Sequence, residues 1–188
     1  RRKNAPVVME AFHKFAKDKK DCMLILHTEV CTDHGTDLHV VRDTLFNDVP
    51  IVLFPHRIPE LELVKFYNIS ACTLNIASAE GFGLSSLESL ACGIPVINNK
   101  TGGLQDQTQE YECGILINPA STQIVGSPPT PYIYDSYVSV DDVVSALEEV
   151  YKYYMSSKKR NLHILDKNKY DIWCDNAREN VLKNFNTR

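Results

Sequence analysis

Ser78-Ala79-Glu80-Gly81-Phe82-Gly83-Leu84-Ser85-Ser86-Leu87-Glu88-Ser89-Leu90-Ala91-Cys92-Gly93-Ile94-Pro95 lies between two apolar runs, Ala71–Ala77 and Ile94–Ile97. The order reads as a buried strand, a glycine turn, a helix over Gly83–Cys92 and a second buried strand. Two glycines in the Gly81-Phe82-Gly83 turn let the backbone take positive φ and approach a ligand closely. The free N–H groups that open the helix, with its dipole behind them, suit a phosphate. On a helical wheel Leu84, Leu87, Leu90 and Ala91 form the expected buried stripe, with Ser85, Ser86 and Ser89 on the other side. Glu88 falls beside Leu84 and Cys92 at the margin of that stripe. A carboxylate there is costly unless something donates to it, and vicinal ribose hydroxyls would be suitable donors. The competing reading has Glu88 reaching water or pairing with a Lys.

Outward from this block the same alternation continues. Val8, Ala11, Phe12 and Phe15 recur at helical spacing before the apolar run Cys22–His27. Leu38–Phe46 reads as a helix, Pro50–Phe54 as a strand, Glu60–Tyr67 as a short helix and Cys113–Ile117 as a last strand. Strands that alternate with helices and are apolar throughout predict a doubly wound parallel sheet, Rossmann-like, covered on both faces. Ligands bind such sheets beyond the carboxyl ends of the strands. The loops after His27, Phe54, Ala77, Ile97 and Ile117 are therefore the places to look. Residues 119–138, with Pro128-Pro129-Thr130-Pro131 and three tyrosines (Tyr132, Tyr134, Tyr137), read as an irregular surface loop whose aromatics want burial. Ser139 then caps a helix, with Asp142 completing a capping-box pattern and Val143, Leu147, Val150 and Tyr154 as its stripe. A helical tail spans 140–188, with further helix around Trp173 and Val181.

The 188 residues carry a net charge of −4, so no overall basic field draws the chain to nucleic acid or anionic lipid. No apolar run is long enough for a transmembrane helix. Six cysteines lack any C-x-x-C spacing and several lie in apolar segments, which points to a reduced, cytoplasmic setting. The chain opens on Arg1-Arg2-Lys3 rather than Met, and reads as part of a longer protein. Cys31, His34 and His39 are close in sequence but match no standard metal spacing, and no metal is expected. The glycine block does not fit the dinucleotide fingerprint, and neither a P-loop nor a G-x-S-x-G nucleophile occurs. His13 and His163 read as surface helix residues. Lys152, Lys158, Lys159 and Arg160 read as a solvated helix end.

Glu80-x7-Glu88 resembles the E-x7-E element of glycosyltransferase family 4 and related retaining enzymes of GT-B fold. Ala91-Cys-Gly-Ile-Pro-Val96 and Thr101-Gly-Gly103 are similar to the next strand and loop of that family, in the same order. His27-Thr28 with Gly35-Thr-Asp37-Leu38, and Trp173 late in the chain, extend the likeness over most of the sequence.

The resemblance implies that the whole of residues 1–188 is the donor-binding half of a GT-B enzyme whose N-terminal acceptor domain is absent. Its expected reaction moves a sugar from a nucleoside diphosphate sugar to an acceptor glycan, lipid or protein hydroxyl with retention. It would do so without metal, and without any cofactor beyond that co-substrate. By the same likeness Glu88 would hold the ribose hydroxyls, and Glu80 would contact the donor sugar on its reacting side. The amides of Gly81, Phe82, Gly83 and Leu84 would meet the sugar and diphosphate. Lys3 fits the family's diphosphate-binding Lys, while the Arg that normally precedes it would lie upstream of residue 1, Arg1 and Arg2 not being its equivalents. Arg57 and Ile58 fall where the base is read. Competing readings keep the architecture but make the chain a non-catalytic nucleotide-sugar-binding module, or a sugar-nucleotide epimerase or hydrolase.

Overall fold

A computed structural model describes residues 2–33, 35–109, 112–159 and 167–185. Arg1, His34, Arg160 and His163, each weighed above, lie outside the described residues.

The first half of the chain runs α1 (Ala5–Ala16), β1 (Leu24–His27), α2 (Leu38–Leu45), β2 (Ile51–Phe54), α3 (Glu60–Ile69) and β3 (Thr73–Asn75). The second half runs α4 (Leu84–Ala91), β4 (Val96–Asn99), α5 (Gly103–Gln109), β5 (Gly114–Ile117), β6 (Ser121–Ser127), β7 (Thr130–Tyr137), α6 (Val140–Lys159) and α7 (Lys169–Asn184). Among the described residues, β1 pairs in parallel with β2, and β3, β4 and β5 form a parallel triplet in that order. This is the α/β, Rossmann-like architecture that the alternation predicts, with its strands hydrogen-bonded as a pair and a triplet.

Helices cover both faces of the triplet, as neighbouring residues of β4 show. Successive strand side chains point to opposite faces. Ile97 packs into a large cluster with Phe12, Phe15, Val143, Leu147 and Val150 of α1 and α6. Val96 packs into a smaller one with Leu90 of α4, Cys113 and Ala177 of α7. The large cluster also takes in Leu24 and Ile51, so the β1–β2 pair shares its core with the triplet.

Local chemistry sets the element ends. Asp37 caps α2 by accepting from the His39 and Val40 amides. Ser139 caps α6 by accepting from the Asp142 amide at 3.1 Å. The Ser139 hydroxyl in turn donates to the Asp142 carboxylate, which therefore bonds the cap's side chain rather than its backbone. The Trp173 and Val181 segments belong to one helix, α7, opened by a full capping box between Asn168 and Asp171.

Two expectations need correction. Residues 119–138 are not an irregular loop: β6 and β7 form an antiparallel hairpin about a Pro128-Pro129 turn, with Ile124 opposite Tyr134. Two of its three tyrosines are not buried either, while Tyr137 at its base is half-buried. Tyr132 and Tyr134 alternate onto one face with Ile124, are 65% and 60% exposed, and meet in a T-shaped pair with ring centroids 6.3 Å apart. The hairpin is held instead through its other face and its base, by bonds described below. The polar helix α5 has no apolar stripe to announce it, and the sequence pattern passes over it as part of a loop.

Candidate functional site

The Glu80 turn lies beyond the carboxyl end of β3, and three separate pieces of chain hold it. The first is the N-terminal segment. Asn4 Nδ2 donates to the Ile76 carbonyl at 2.9 Å, and the Ser78 amide donates to the Arg2 carbonyl at 2.9 Å. These bonds lay Arg2 and Lys3 beside the turn, so that the Lys3 ammonium pairs directly with Glu80 Oε2. Arg2 Nη1 stands 3.1 Å from the same oxygen and donates to the Ala79 carbonyl at 2.6 Å. The Glu80 side chain is only 12% exposed. Burial would raise its pKa, but the Lys3 bond and charge, then those of Arg2, outweigh that and hold it below the ordinary value of 4.5. Arg2 is a neighbour of Glu80 that sequence reasoning set aside as not the family's diphosphate-binding Arg. Its only sequence signal is adjacency to Lys3.

The second piece is the Thr101-Gly102-Gly103 loop that opens α5. Gly103 N–H is shared between the Glu80 and Gly81 carbonyls, each at 3.2 Å. Gly102 takes φ +47°, and a β-carbon on it would overlap the Glu80 carbonyl. A β-carbon on Gly103 would stand 2.7 Å from the Gly81 oxygen. Only glycines allow this backbone-on-backbone contact. Gln107 Nε2, one turn further along α5, donates to the Phe82 carbonyl at 2.7 Å.

The third piece is the hairpin. Ser136 N–H donates to the Ser78 carbonyl at 2.7 Å, and the Ser78 hydroxyl donates to Asp135 Oδ2 at 3.0 Å. Asn99, buried at the end of β4, donates to both the Ala77 and Ser136 carbonyls. Its Oδ1 has no protein partner among the described residues.

Gly83, at φ +88°, is the N-cap of α4 and offers no side-chain acceptor. Ser86 and Leu87 amides bond back to the Gly83 carbonyl, which leaves those of Leu84 and Ser85 without a protein acceptor among the described residues. Phe82 and Leu84 flank this opening and are exposed, Leu84 by 66%.

That exposure overturns the expected face of α4. Ser86, Ser89 and Leu90 are buried, while Leu84, Ala91 and Glu88 are not. The reason is a polar network beneath the helix. Ser86 Oγ donates to Asn98 Oδ1 at 3.0 Å, Asn98 Nδ2 donates to Thr108 Oγ1 at 2.9 Å, and Asn75 Nδ2 reaches Ser86 Oγ at 3.3 Å. Ser89 Oγ donates to Thr73 Oγ1 at 2.8 Å. Serines tolerate burial where each hydroxyl finds a hydrogen-bond partner. Glu88 is therefore not a carboxylate stranded on an apolar margin. It lies on the open side and accepts from Tyr67 Oη, near the end of α3, at 2.8 Å.

Arg57 is exposed and Ile58 half-buried in the loop after β2, on the carboxyl edge of the sheet. Among the described residues, no hydrogen bond or ion pair joins either to the Glu80–Glu88 segment. The neighbouring loop is tied by His27 Nε2 and the His56 carbonyl at 3.0 Å. Among the described residues there is no cluster of three His, Cys, Asp or Glu that could hold a metal, and no helix long and apolar enough to cross a membrane.

Over residues 1–125 the sequence matches the family model described as "Glycosyl transferases group 1". A D-inositol 3-phosphate glycosyltransferase from Acidothermus cellulolyticus is 39% identical over 67 residues, which are 36% of this chain and 15% of that protein. Among solved structures, the C-terminal domain of a group 1 glycosyl transferase family protein from Francisella tularensis superposes with a TM-score of 0.70 at 18% identity. That match covers all of this chain and 82% of the other. Anabaena HepE, solved in complex with UDP-glucose, superposes with a TM-score of 0.65 at 15% identity, over 98% of this chain and 42% of its own. These structural likenesses concern the fold.

Proposed function

Because the chain belongs to the group 1 glycosyl transferases, we propose that it supplies the donor-binding half of an enzyme that moves a sugar from a nucleoside diphosphate sugar to an acceptor hydroxyl with retention. One observation carries this reading. The Glu80 turn brings a carboxylate, the Lys3 ammonium and the Leu84 and Ser85 amides, which lack a protein acceptor among the described residues, to the opening of one helix, beyond the end of β3. A diphosphate at that opening meets a cation and the positive end of a helix dipole together. The complex of HepE with UDP-glucose supports a nucleotide sugar as the ligand class.

In the transfer, the bond from the anomeric carbon to the β-phosphate oxygen breaks with its electron pair going to the diphosphate, the acceptor oxygen bonds to that carbon, and the acceptor's proton passes to the departing diphosphate. Negative charge grows on the β-phosphate as the first bond breaks. Lys3 and the amides of Gly83 and Leu84 stabilise that charge as it develops. Glu80 orients the donor sugar through its hydroxyls, with the Gly81 and Phe82 amides beside it. Glu88 accepts from the ribose, and Arg57 and Ile58 lie against the base. The acceptor is bound by a second domain of the full-length protein.

Calorimetric titration of full-length protein with UDP and UMP tests the phosphate assignment. UDP should bind the wild type more tightly, and Lys3→Met should shrink that preference by about tenfold. An unchanged UDP-to-UMP ratio would rule Lys3 out as a β-phosphate ligand.

A further inference from the structure

We propose that Tyr67 is a positioning residue for Glu88. Its hydroxyl pins one carboxylate oxygen and so aims the other at the vicinal hydroxyls of a ribose. The proposal rests on the reading of Glu88 as the ribose ligand.

The two glutamates of the site are held in opposite ways. Glu80 is paired with two cations, Lys3 and Arg2. Glu88 has no cationic partner among the described residues, and its contact is the neutral phenol of Tyr67, 2.8 Å from Oε2. A Lys at that position would compete with incoming hydroxyls for the carboxylate's lone pairs. A single neutral donor occupies one lone pair of Oε2 and leaves both lone pairs of Oε1 available. Two vicinal hydroxyls need that much acceptor capacity.

Tyr67 is also suited to stay a donor. α3 has no fully buried residue, yet the Tyr67 ring is half-buried against the end of α4. Burial first, and the Glu88 carboxylate second, push the phenol's pKa well above its ordinary value. The hydroxyl therefore keeps its proton, and remains a donor, across the neutral pH range. Tyrosine has few torsions to order, whereas an unpinned glutamate is free to sample many rotamers. Fixing Glu88 in the folded protein removes part of that ordering cost from the binding step.

The test is calorimetric titration of full-length protein with UDP, GDP, ADP and their 2′-deoxy and 3′-deoxy forms, for wild type, Tyr67→Phe and Glu88→Ala. With the tightest-binding base, Tyr67→Phe should weaken the ribonucleotide about tenfold. Binding of the deoxy form that lacks the Glu88-bound hydroxyl should change by less than about threefold, so the ribo-to-deoxy ratio collapses. A merely structural role would move both forms together. The inference is overturned if Tyr67→Phe shifts both equally, or neither, while Glu88→Ala still abolishes the ratio. If Glu88→Ala itself leaves the ratio intact, the ribose reading fails and this inference falls with it.

Discussion

Gly102 lies with its α-carbon against the Glu80 carbonyl, in a left-handed conformation at φ +47° that brings the two backbones closer than any side chain would permit. The Gly103 amide then donates to the same carbonyl. The loop that opens α5 is thus a mould for the loop that opens α4, and Glu80's position depends on a glycine from the far side of an intervening helix and strand. Gly102→Ala should cost about 2–4 kcal/mol, from positive-φ strain plus displacement of the Glu80 backbone. Gly81→Ala should stay within about 1 kcal/mol, because nothing lies within 4 Å of a β-carbon there. Urea denaturation of the two variants checks the contrast, and equal losses would contradict the mould.

Glu80 carries a pH signature. Its pKa is depressed in the folded state, so its ion pairs contribute stability above the ordinary value of 4.5 and lose it as pH falls through the folded value. A carboxyl NMR titration should place the Glu80 midpoint below 4.5, and Lys3→Met should move it upward. Saturation with UDP should also raise it, as the diphosphate draws Lys3 away. An unmoved midpoint in Lys3→Met would contradict the pairing.

The buried face of α4 can be tested by a pair of truncations. Asn98→Ala removes the acceptor of Ser86 and the donor to Thr108 in a fully buried site, and should cost about 2–4 kcal/mol. Leu84→Ala, on the exposed side, should change stability by no more than about 0.5 kcal/mol. Chemical denaturation curves give both numbers, and the reverse order would restore the apolar stripe read from the sequence.

Thiol reactivity should follow burial. Burial pushes the Cys72 thiol up to about 12 and Cys113 to about 11, whereas Cys31 is exposed. With iodoacetamide at mildly alkaline pH, Cys31 should label first, the half-buried Cys72 more slowly, and the fully buried Cys113 only after denaturant is added. Peptide mass spectrometry reads the order directly, and early labelling of Cys113 would contradict its burial.

What the sequence made visible follows from where its chemistry was local. The parallel strands and most helices, including α1, α2 and α6, stand where apolar period and caps place them, because each element is specified by its own residues. The serine face of α4 was hidden because its partners, Asn75, Asn98 and Thr108, come from three other elements. A helical wheel knows nothing of them. The hairpin was hidden because Tyr132 and Tyr134 remain exposed, against the usual preference of large aromatics. The Glu80 and Glu88 positions were visible through family likeness, but Arg2 and Tyr67, which touch them, come from distant parts of the chain.

The most direct test of a donor site between Lys3 and Glu88 is a thermal-shift panel of UDP, GDP and ADP on full-length protein. At about a hundred times its dissociation constant, one of them should add about 2.7 kcal/mol of stability. Glu88→Ala should remove most of that gain while the unliganded protein melts within a few degrees of wild type. A panel in which no nucleotide stabilises the protein, or a full shift retained in Glu88→Ala, would contradict the site.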